Sequence, residues 1–236
     1  MPMVRAVVFD FNGILVDDEP IHLRLFQRVL AEEGIELSSD DYYEEYLGYD
    51  DRGCFEAVLK AAGEEPGPGR VLRLIARKSS YYQQVIRDEG YPFFPGAVEL
   101  VRGLHERGVP LGLVSGALRE EIEGALEQES LLSCFKVLVA AEDVERGKPD
   151  PEGYRMVLAE LNSRAPLPER LLHPHEVTAV EDSPAGIEAA AGAGLRTLGV
   201  AQTYEPAELS AAQAVVDSLA GLTVERLLEL AGGGRG

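Results

Sequence analysis

Five polar residues of this sequence lie at or just beyond the ends of short apolar runs. They are Asp10, Ser115, Lys148, Glu181 and Asp182. Carboxylate oxygens are the ligands that Mg²⁺ prefers in proteins, and the hydroxyl and ammonium groups donate hydrogen bonds to anions. Taken singly, each residue also has an ordinary structural explanation, because an aspartate after a strand commonly stabilises a turn. Their chemistry therefore depends on whether the fold brings them together.

The apolar runs themselves predict the strands of a parallel sheet. The first run is nearly all apolar and rich in valine and phenylalanine, as expected for a strand that is covered on both faces. The later runs are separated by stretches that read as helix, which predicts a doubly wound α/β core. Ligands of such sheets bind beyond the carboxyl ends of the strands, so the polar residues are expected to converge there. The five runs are Val4–Phe11, Pro110–Val114, Val137–Ala140, Val177–Val180 and Thr197–Val200.

The spacing of the polar residues predicts an insertion after the first strand. The steps from Ser115 to Lys148 and from Lys148 to Asp182 are each about the length of one strand–helix–strand unit. The step from Asp10 to Ser115 exceeds one such unit by about 70 residues. We therefore predict one α/β core, formed by residues 1–17 and 93–236, and one inserted domain, formed by residues 18–92.

The inserted domain is expected to be helical. Apolar residues recur at helical spacing in three stretches, and each stretch ends at or next to a glycine, as helices commonly do. Such apolar stripes mostly pack against one another, so only a minority of their residues would face a ligand. The predicted helices lie between Pro20 and Gly34, between Asp50 and Gly63, and from Gly69 to Glu89.

Composition and charge argue against several classes of partner. The 236 residues include 41 acids and 22 bases, for a formal net charge of −19. Such an excess of acids repels nucleic acid and anionic membranes, so neither is expected as a partner. Cys54 and Cys134 lack the spacing of a disulfide framework or a thiolate metal site. The sequence has neither a signal-peptide pattern nor an apolar run of membrane-spanning length. We therefore expect a cytoplasmic protein, monomeric or weakly dimeric.

Four segments of the chain, in this order and at these spacings, resemble the four motifs of the haloacid dehalogenase superfamily. The resemblance covers almost the whole chain and points to the branch that includes β-phosphoglucomutase and small sugar-phosphate phosphatases. It implies a Rossmann-like core with a small helical cap, Mg²⁺ as the cofactor and a small phosphate ester as the ligand. The segments are Phe9–Asp17, Leu113–Gly116, Gly147–Pro151 and Val180–Ile187.

The resemblance implies a nucleophile and a set of metal ligands. Asp10 is expected to attack the phosphoryl group and form an aspartyl phosphate. Asp10 and Asp182 would bind Mg²⁺ together with the main-chain carbonyl of Asn12, which the amide side chain leaves intact. Glu181 would either bind the ion or orient water beside it.

The resemblance also implies the groups that hold the phosphate. Ser115 and the backbone of Gly116 are expected to donate hydrogen bonds to it. Lys148 would neutralise charge on the phosphoryl group and on the nucleophile. Ser183, followed by Pro184 at a first helical position, is expected to cap a helix and to have no chemical role.

Position 12 departs from the family pattern. The family normally has an aspartate there, which is the general acid toward the leaving alcohol and then the general base. An amide cannot exchange that proton, and loss of such a group costs about 10² to 10⁴ in rate. Three explanations remain open: another carboxylate substitutes, the natural substrate has a good leaving group, or the position was altered to disable the protein. Acids near in sequence are Asp17, Asp18, Glu19, Glu142 and Asp143, and we expect Asp18 to be the N-cap of the first inserted helix instead.

Arg52, in the inserted domain, resembles the arginine with which the family grips a distal anionic group of its substrate. A solvated arginine at the start of a helix is an equal alternative. The predicted function is Mg²⁺-dependent hydrolysis of a small phosphate monoester, such as a sugar phosphate, and these residues do not separate it from a hexose phosphate mutase. A phosphometabolite-binding regulatory protein, with turnover impaired by Asn12, is the alternative of a different class.

Overall fold

The computed structural model describes residues 4–233. These residues form two compact units, the first made of residues 4–17 and 91–233 and the second of residues 18–90. Within residues 4–233, none of the helices combines the length and the apolar character that crossing a membrane requires.

The second unit is helical, and its three longest helices correspond to the three that the sequence predicts. Its helices are α1 (Glu19–Glu32), α2 (Ser39–Asp41), α3 (Asp51–Ala61) and α4 (Pro68–Glu89). A short π-helical turn over residues 42–46 follows α2. Both α1 and α3 pack against α4, and Phe26, Phe55 and Leu74 belong to their shared apolar cluster.

The second unit ends at Gly90, whereas the sequence prediction extended it to residue 92. Gly90 ends α4 with a φ of 78°, a positive value that glycine adopts without a steric cost because it has no Cβ. The next two residues are bonded within the first unit. The Tyr91 N–H donates to Oε1 of Gln128 at 2.7 Å, and the carbonyl of Pro92 accepts from the Asp17 N–H at 2.7 Å.

A six-stranded sheet forms the centre of the first unit. Its strands are β1 (Ala6–Phe9), β2 (Leu111–Val114), β3 (Phe135–Val139), β4 (Val177–Glu181), β5 (Arg196–Val200) and β6 (Ala214–Val216). They lie in the order β3-β2-β1-β4-β5-β6, and every neighbouring pair is parallel. The sequence predicted the first five strands but not the short edge strand β6.

Helices cover both faces of this sheet, as the doubly wound prediction requires. On β1, Val7 and Phe9 pack into one apolar cluster, and Ala6 and Val8 pack into another. The covering helices are α5 (Ala97–Glu106), α6 (Arg119–Gln128), α7 (Glu152–Ser163), α8 (Pro184–Gly192) and α9 (Val224–Gly232). The first cluster includes residues of α5, α6 and α9, and the second includes residues of α7 and α8. Strand β1 is therefore covered by helices on both faces, and Asp10 directly follows it.

Candidate active site

Asp10 directly follows the central strand β1. Its N–H donates to the carbonyl of Val180 at 3.0 Å, so the residue is still held by the neighbouring strand β4. Its Oδ1 accepts a hydrogen bond from the Phe11 N–H at 2.7 Å, and only 8% of the residue is exposed. Both the backbone and the side chain of Asp10 are therefore fixed at the carboxyl edge of the sheet.

Two further carboxylates lie beside Asp10. Glu181 is the last residue of β4 and is completely buried, and Asp182 follows it with 5% exposure. Because β1 and β4 are parallel neighbours, their ends meet at one edge of the sheet. Each of the three acids offers an oxygen within 4.8 Å of the other two, and across residues 4–233 this is the one such group of acidic, histidine or cysteine side chains.

Lys148 reaches this cluster from the loop before α7. Its Nζ lies 2.8 Å from Oδ1 of Asp10 and 2.6 Å from Oε1 of Glu181. The loop is held by the start of α7, where the Glu152 carboxylate accepts from the N–H groups of Glu145 and Arg146 at 2.9 and 3.2 Å. The ammonium group therefore bridges the acids that end β1 and β4.

Ser115 and Asn12 approach each other at the same edge of the sheet. The Ser115 N–H donates to the carbonyl of Val139 at 2.9 Å, which places the residue directly after β2. Its Oγ accepts from the Ala117 N–H at 2.9 Å and lies 3.5 Å from Oδ1 of Asn12. Gly116 is exposed, and nothing lies within 4 Å of the position that a Cβ would take. The hydroxyl therefore faces the Asn12 amide, and the glycine leaves its side of the turn open.

The buried carboxylates carry more negative charge than Lys148 can balance. Burial, and next the charge of Asp10, raises the pKa of Glu181 to about 8. The same two causes raise the pKa of Asp182 to about 7. Burial by itself would lower the pKa of Lys148, but Asp10 and Glu181 hold it above its ordinary value. A cation between the acids would relieve this repulsion.

The donor set fits Mg²⁺. All three acids offer carboxylate oxygens, the hard ligands that this ion selects, and the cluster has no thiolate or imidazole that would favour a softer metal. The excess charge of the cluster is of the sign that a divalent cation offsets.

Three residues outside the predicted set touch this site. The Tyr154 hydroxyl donates to Oε1 of Glu181, the Thr203 hydroxyl is hydrogen-bonded to the Asp182 carboxylate, and Nε2 of Gln202 donates to the carbonyl of Gly13 at 2.9 Å. Gln202 and Thr203 follow β5, so the rule that polar residues end the strands of this sheet could have identified them. Tyr154 belongs to the apolar stripe of α7, and no sequence signal separates it from core residues.

Two acids of the first unit that could have replaced a missing proton donor, Glu142 and Asp143, are bonded elsewhere. Glu142 accepts hydrogen bonds from the Arg119 N–H at 3.2 Å. Asp143 accepts from the Ala140 N–H at 2.8 Å and pairs with the Arg119 guanidinium. Both carboxylates therefore hold the turn that follows β3.

In the second unit, Asp18 is the N-cap residue of α1, as predicted, although its side chain makes no capping hydrogen bond. Its Oδ2 accepts from the Tyr82 hydroxyl at 2.9 Å and lies 3.2 Å from Nε2 of His22, because a buried carboxylate is better stabilised by these two partners. Glu19 accepts from the Tyr42 hydroxyl at 2.5 Å.

The remaining predicted residues also have definite places. Arg52 lies in the first turn of α3 with its side chain 50% exposed, 4.0 Å from Oε1 of Glu56. Ser183 is the N-cap of α8, where its Oγ accepts from the Gly186 N–H at 3.1 Å and Pro184 takes the first helical position. The capping role predicted for Ser183 is confirmed.

Comparison with known proteins agrees with this arrangement. Residues 7–200 match the family described as haloacid dehalogenase-like hydrolase. The chain is 30% identical to validoxylamine A 7'-phosphate phosphatase of Streptomyces hygroscopicus subsp. limoneus, over 92% of this chain and 95% of that protein. It is 27% identical to the phosphorylated carbohydrates phosphatase of Thermotoga maritima, over 83% and 84% of the two chains.

The fold of this chain is also similar to the folds of solved structures. The crystal structure of β-phosphoglucomutase from Clostridium difficile aligns with a TM-score of 0.78 at 22% identity and covers 98% of both chains. Both the doubly wound α/β fold and the resemblance carried by the four segments are confirmed. The chain belongs to the haloacid dehalogenase-like hydrolase family.

Proposed function

We propose that this chain is a magnesium-dependent phosphatase that hydrolyses a small phosphate monoester, a sugar phosphate or a similar metabolite, through an aspartyl phosphate on Asp10. One observation carries the proposal: Asp10 is in contact with Lys148 and lies in a buried cluster with Glu181 and Asp182. The names of two relatives, which describe phosphatases of phosphorylated carbohydrates and of validoxylamine A 7'-phosphate, support this substrate class.

The metal would be held by Asp10, Asp182 and the main-chain carbonyl of Asn12, with Glu181 as a further ligand or as a partner of bound water. When bound, Mg²⁺ neutralises the negative charge of the phosphate oxygens beside the nucleophile. Burial and the charge of Asp10 raise the pKa values of Glu181 and Asp182, and a cation bound beside these acids would stabilise their charged forms.

Side chains and one backbone N–H of the first unit have separate roles in the proposed reaction. A carboxylate oxygen of Asp10 attacks phosphorus, the bond from phosphorus to the ester oxygen breaks, and the leaving group departs with the electron pair. Lys148 offsets charge on the nucleophile and on the phosphoryl oxygens, and the Ser115 hydroxyl and Gly116 N–H donate to those oxygens. Water then cleaves the aspartyl phosphate, which releases inorganic phosphate and restores the carboxylate.

Asn12 limits both steps in this scheme. Its amide cannot protonate the leaving alcohol or deprotonate water, and the missing proton transfer costs about 10² to 10⁴ in rate. This loss corresponds to about 3 to 5.5 kcal/mol of activation free energy. Because Glu142 and Asp143 are bonded to the turn after β3, neither is placed to substitute. With these two acids bonded elsewhere, we infer that esters with a good leaving group are the favoured substrates.

Asn12 also favours one second candidate, a protein that binds a phosphometabolite without turning it over. A panel of phosphate esters with Mg²⁺ decides between the two, with Asp10→Asn as the control that removes the nucleophile. Turnover that disappears in Asp10→Asn supports the phosphatase. If the parent and Asn12→Asp both bind Mg²⁺ but are inert toward every ester, the binding protein is the better explanation.

The role of Arg52 in gripping a distal anionic group of the substrate stays a prediction. Arg52→Ala should raise KM for esters that carry a second anionic group.

A further inference from the structure

Tyr154 is a buried residue with a polar hydroxyl, and it has no role in the reaction proposed above. It lies in the first turn of α7 and is completely buried. Its ring packs among the apolar residues between the sheet and α7, and its hydroxyl donates to Oε1 of Glu181. Burial, together with the adjacent Glu181 carboxylate, holds its pKa well above the ordinary value, so it is a donor at physiological pH.

The oxygen that Tyr154 contacts is shared with Lys148. The Lys148 Nζ lies 2.6 Å from Oε1 of Glu181 and 2.8 Å from Oδ1 of Asp10. The four groups thus form a continuous chain from the Tyr154 hydroxyl through Glu181 and Lys148 to Asp10. The far oxygen of Glu181 faces the start of α8, where Oγ of Ser183 lies 3.5 Å from Oε2.

Asp10 and Glu181 compete for the same ammonium group. Both carboxylates are buried, and an unpaired charge or lone pair in such a place is costly. The neutral Tyr154 hydroxyl donates a hydrogen bond to the Glu181 carboxylate. Glu181 therefore depends less on Lys148, and Lys148 can also pair with Asp10. Without that hydroxyl, Glu181 would depend more strongly on Lys148 and would draw it away from Asp10.

We propose that Tyr154 is a positioning residue: its hydroxyl orients Glu181 and thereby holds Lys148 on the nucleophile. This inference rests on the proposed function, in which Asp10 is phosphorylated. Tyr154 itself does not touch the reacting atoms in this scheme, since its hydroxyl is bonded to Glu181.

The variant Tyr154→Phe removes only the hydroxyl and keeps the buried ring. With p-nitrophenyl phosphate and Mg²⁺, kcat should fall about 10- to 100-fold, the usual cost of losing a group that orients a ligand or a catalytic side chain. KM should change much less, because the phosphate donors Ser115 and Gly116 are untouched. The matched control is Tyr42→Phe. It removes the hydroxyl with which buried Tyr42 donates to Glu19 in the second unit, and it should keep the parental kcat.

A double-mutant cycle tests whether Tyr154 acts through Glu181. In a Glu181→Gln background the hydroxyl has no carboxylate to orient, so Tyr154→Phe should then lower kcat less than about twofold. An undiminished loss in that background, or a Tyr154→Phe variant with parental kcat, would overturn the inference.

A crystal structure of Tyr154→Phe gives a result that does not depend on activity. The Lys148 Nζ should remain on Glu181 and move out of hydrogen-bond distance of Asp10. An unchanged contact between Lys148 and Asp10 would overturn the inference even if kcat fell. Failure of the proposed function has a different signature: the parent and Asn12→Asp hydrolyse no ester, whatever the position of Lys148.

Discussion

Gly13 lies in the turn after Asp10, where a single added methyl group would test the placement of Asp182. The residue has a φ of 76°, and a Cβ built on it would lie 2.5 Å from Cγ of Asp182, closer still to its Oδ2, and 2.9 Å from Oγ1 of Thr203. Gly13→Ala must therefore displace the Asp182 carboxylate or distort the turn. Gly108 is a matched control, because it has a φ of 71° and open space at the Cβ position.

The two substitutions share a backbone cost but differ in the clash. A left-handed alanine costs about 1 to 2 kcal/mol, which both variants should lose in unfolding free energy. Overpacking in Gly13→Ala should add about 1 to 3 kcal/mol. Displacing a metal ligand should also weaken Mg²⁺ binding at least about tenfold, or about 1.4 kcal/mol.

Urea unfolding and calorimetric titration with Mg²⁺ measure these quantities separately. We expect Gly108→Ala to bind Mg²⁺ like the parent and Gly13→Ala to lose both stability and metal affinity. If Gly13→Ala kept parental Mg²⁺ affinity and matched Gly108→Ala in stability, the contact between Gly13 and Asp182 would not be a feature of the folded protein.

Further substitutions test other parts of the site and the ion pairs of Glu176, a buried residue of the first unit. Asp182→Asn should lose Mg²⁺ affinity and turnover, and a calorimetric titration that matches the parent would contradict the ligand assignment. Asn12→Asp should raise alkyl-phosphate turnover by about 10² or more and shrink any initial burst of product; little gain would point to another acid. The Glu176 carboxylate accepts hydrogen bonds from the Arg170 guanidinium, the His173 N–H and the Arg5 guanidinium, and these bonds, in that order of importance, lower its pKa to about 2. Its contribution to stability is therefore present above its ordinary pKa and is lost as pH falls toward 2. Glu176→Gln should be less stable than the parent at pH 7 and should converge with it near pH 2 in thermal melts; an unchanged difference would contradict this.

Much of the core was predictable because a parallel sheet leaves a strong local signal. Strands that are buried on both faces are continuous apolar runs, and the polar residue at the end of each run marks the carboxyl edge of the sheet. Asp10, Ser115 and Asp182 could be placed at one edge on that basis alone. The edge strand β6 leaves a weaker signal, since its three residues are all only half-buried.

The inserted helices were predictable from their apolar stripes, but their polar interior was not. Lys78 has 1% exposure and lies 2.5 Å from Oδ1 of Asp51 and 2.7 Å from Nδ1 of His22. A lysine in an amphipathic helix is expected to face solvent. Its burial depends on partners from α1 and α3, which are 56 and 27 residues away in the chain.

Residue types and their spacing along single strands and helices were enough to predict the family, most of the elements and the acids that meet at the sheet edge. Which groups share an oxygen depends instead on how separate elements pack. Tyr154 reads as one more apolar position of α7, yet its hydroxyl and Lys148 converge on Oε1 of Glu181. Such contacts join residues from separate strands, loops and helices, and their geometry is set by how those elements pack, which the local pattern of residues does not contain.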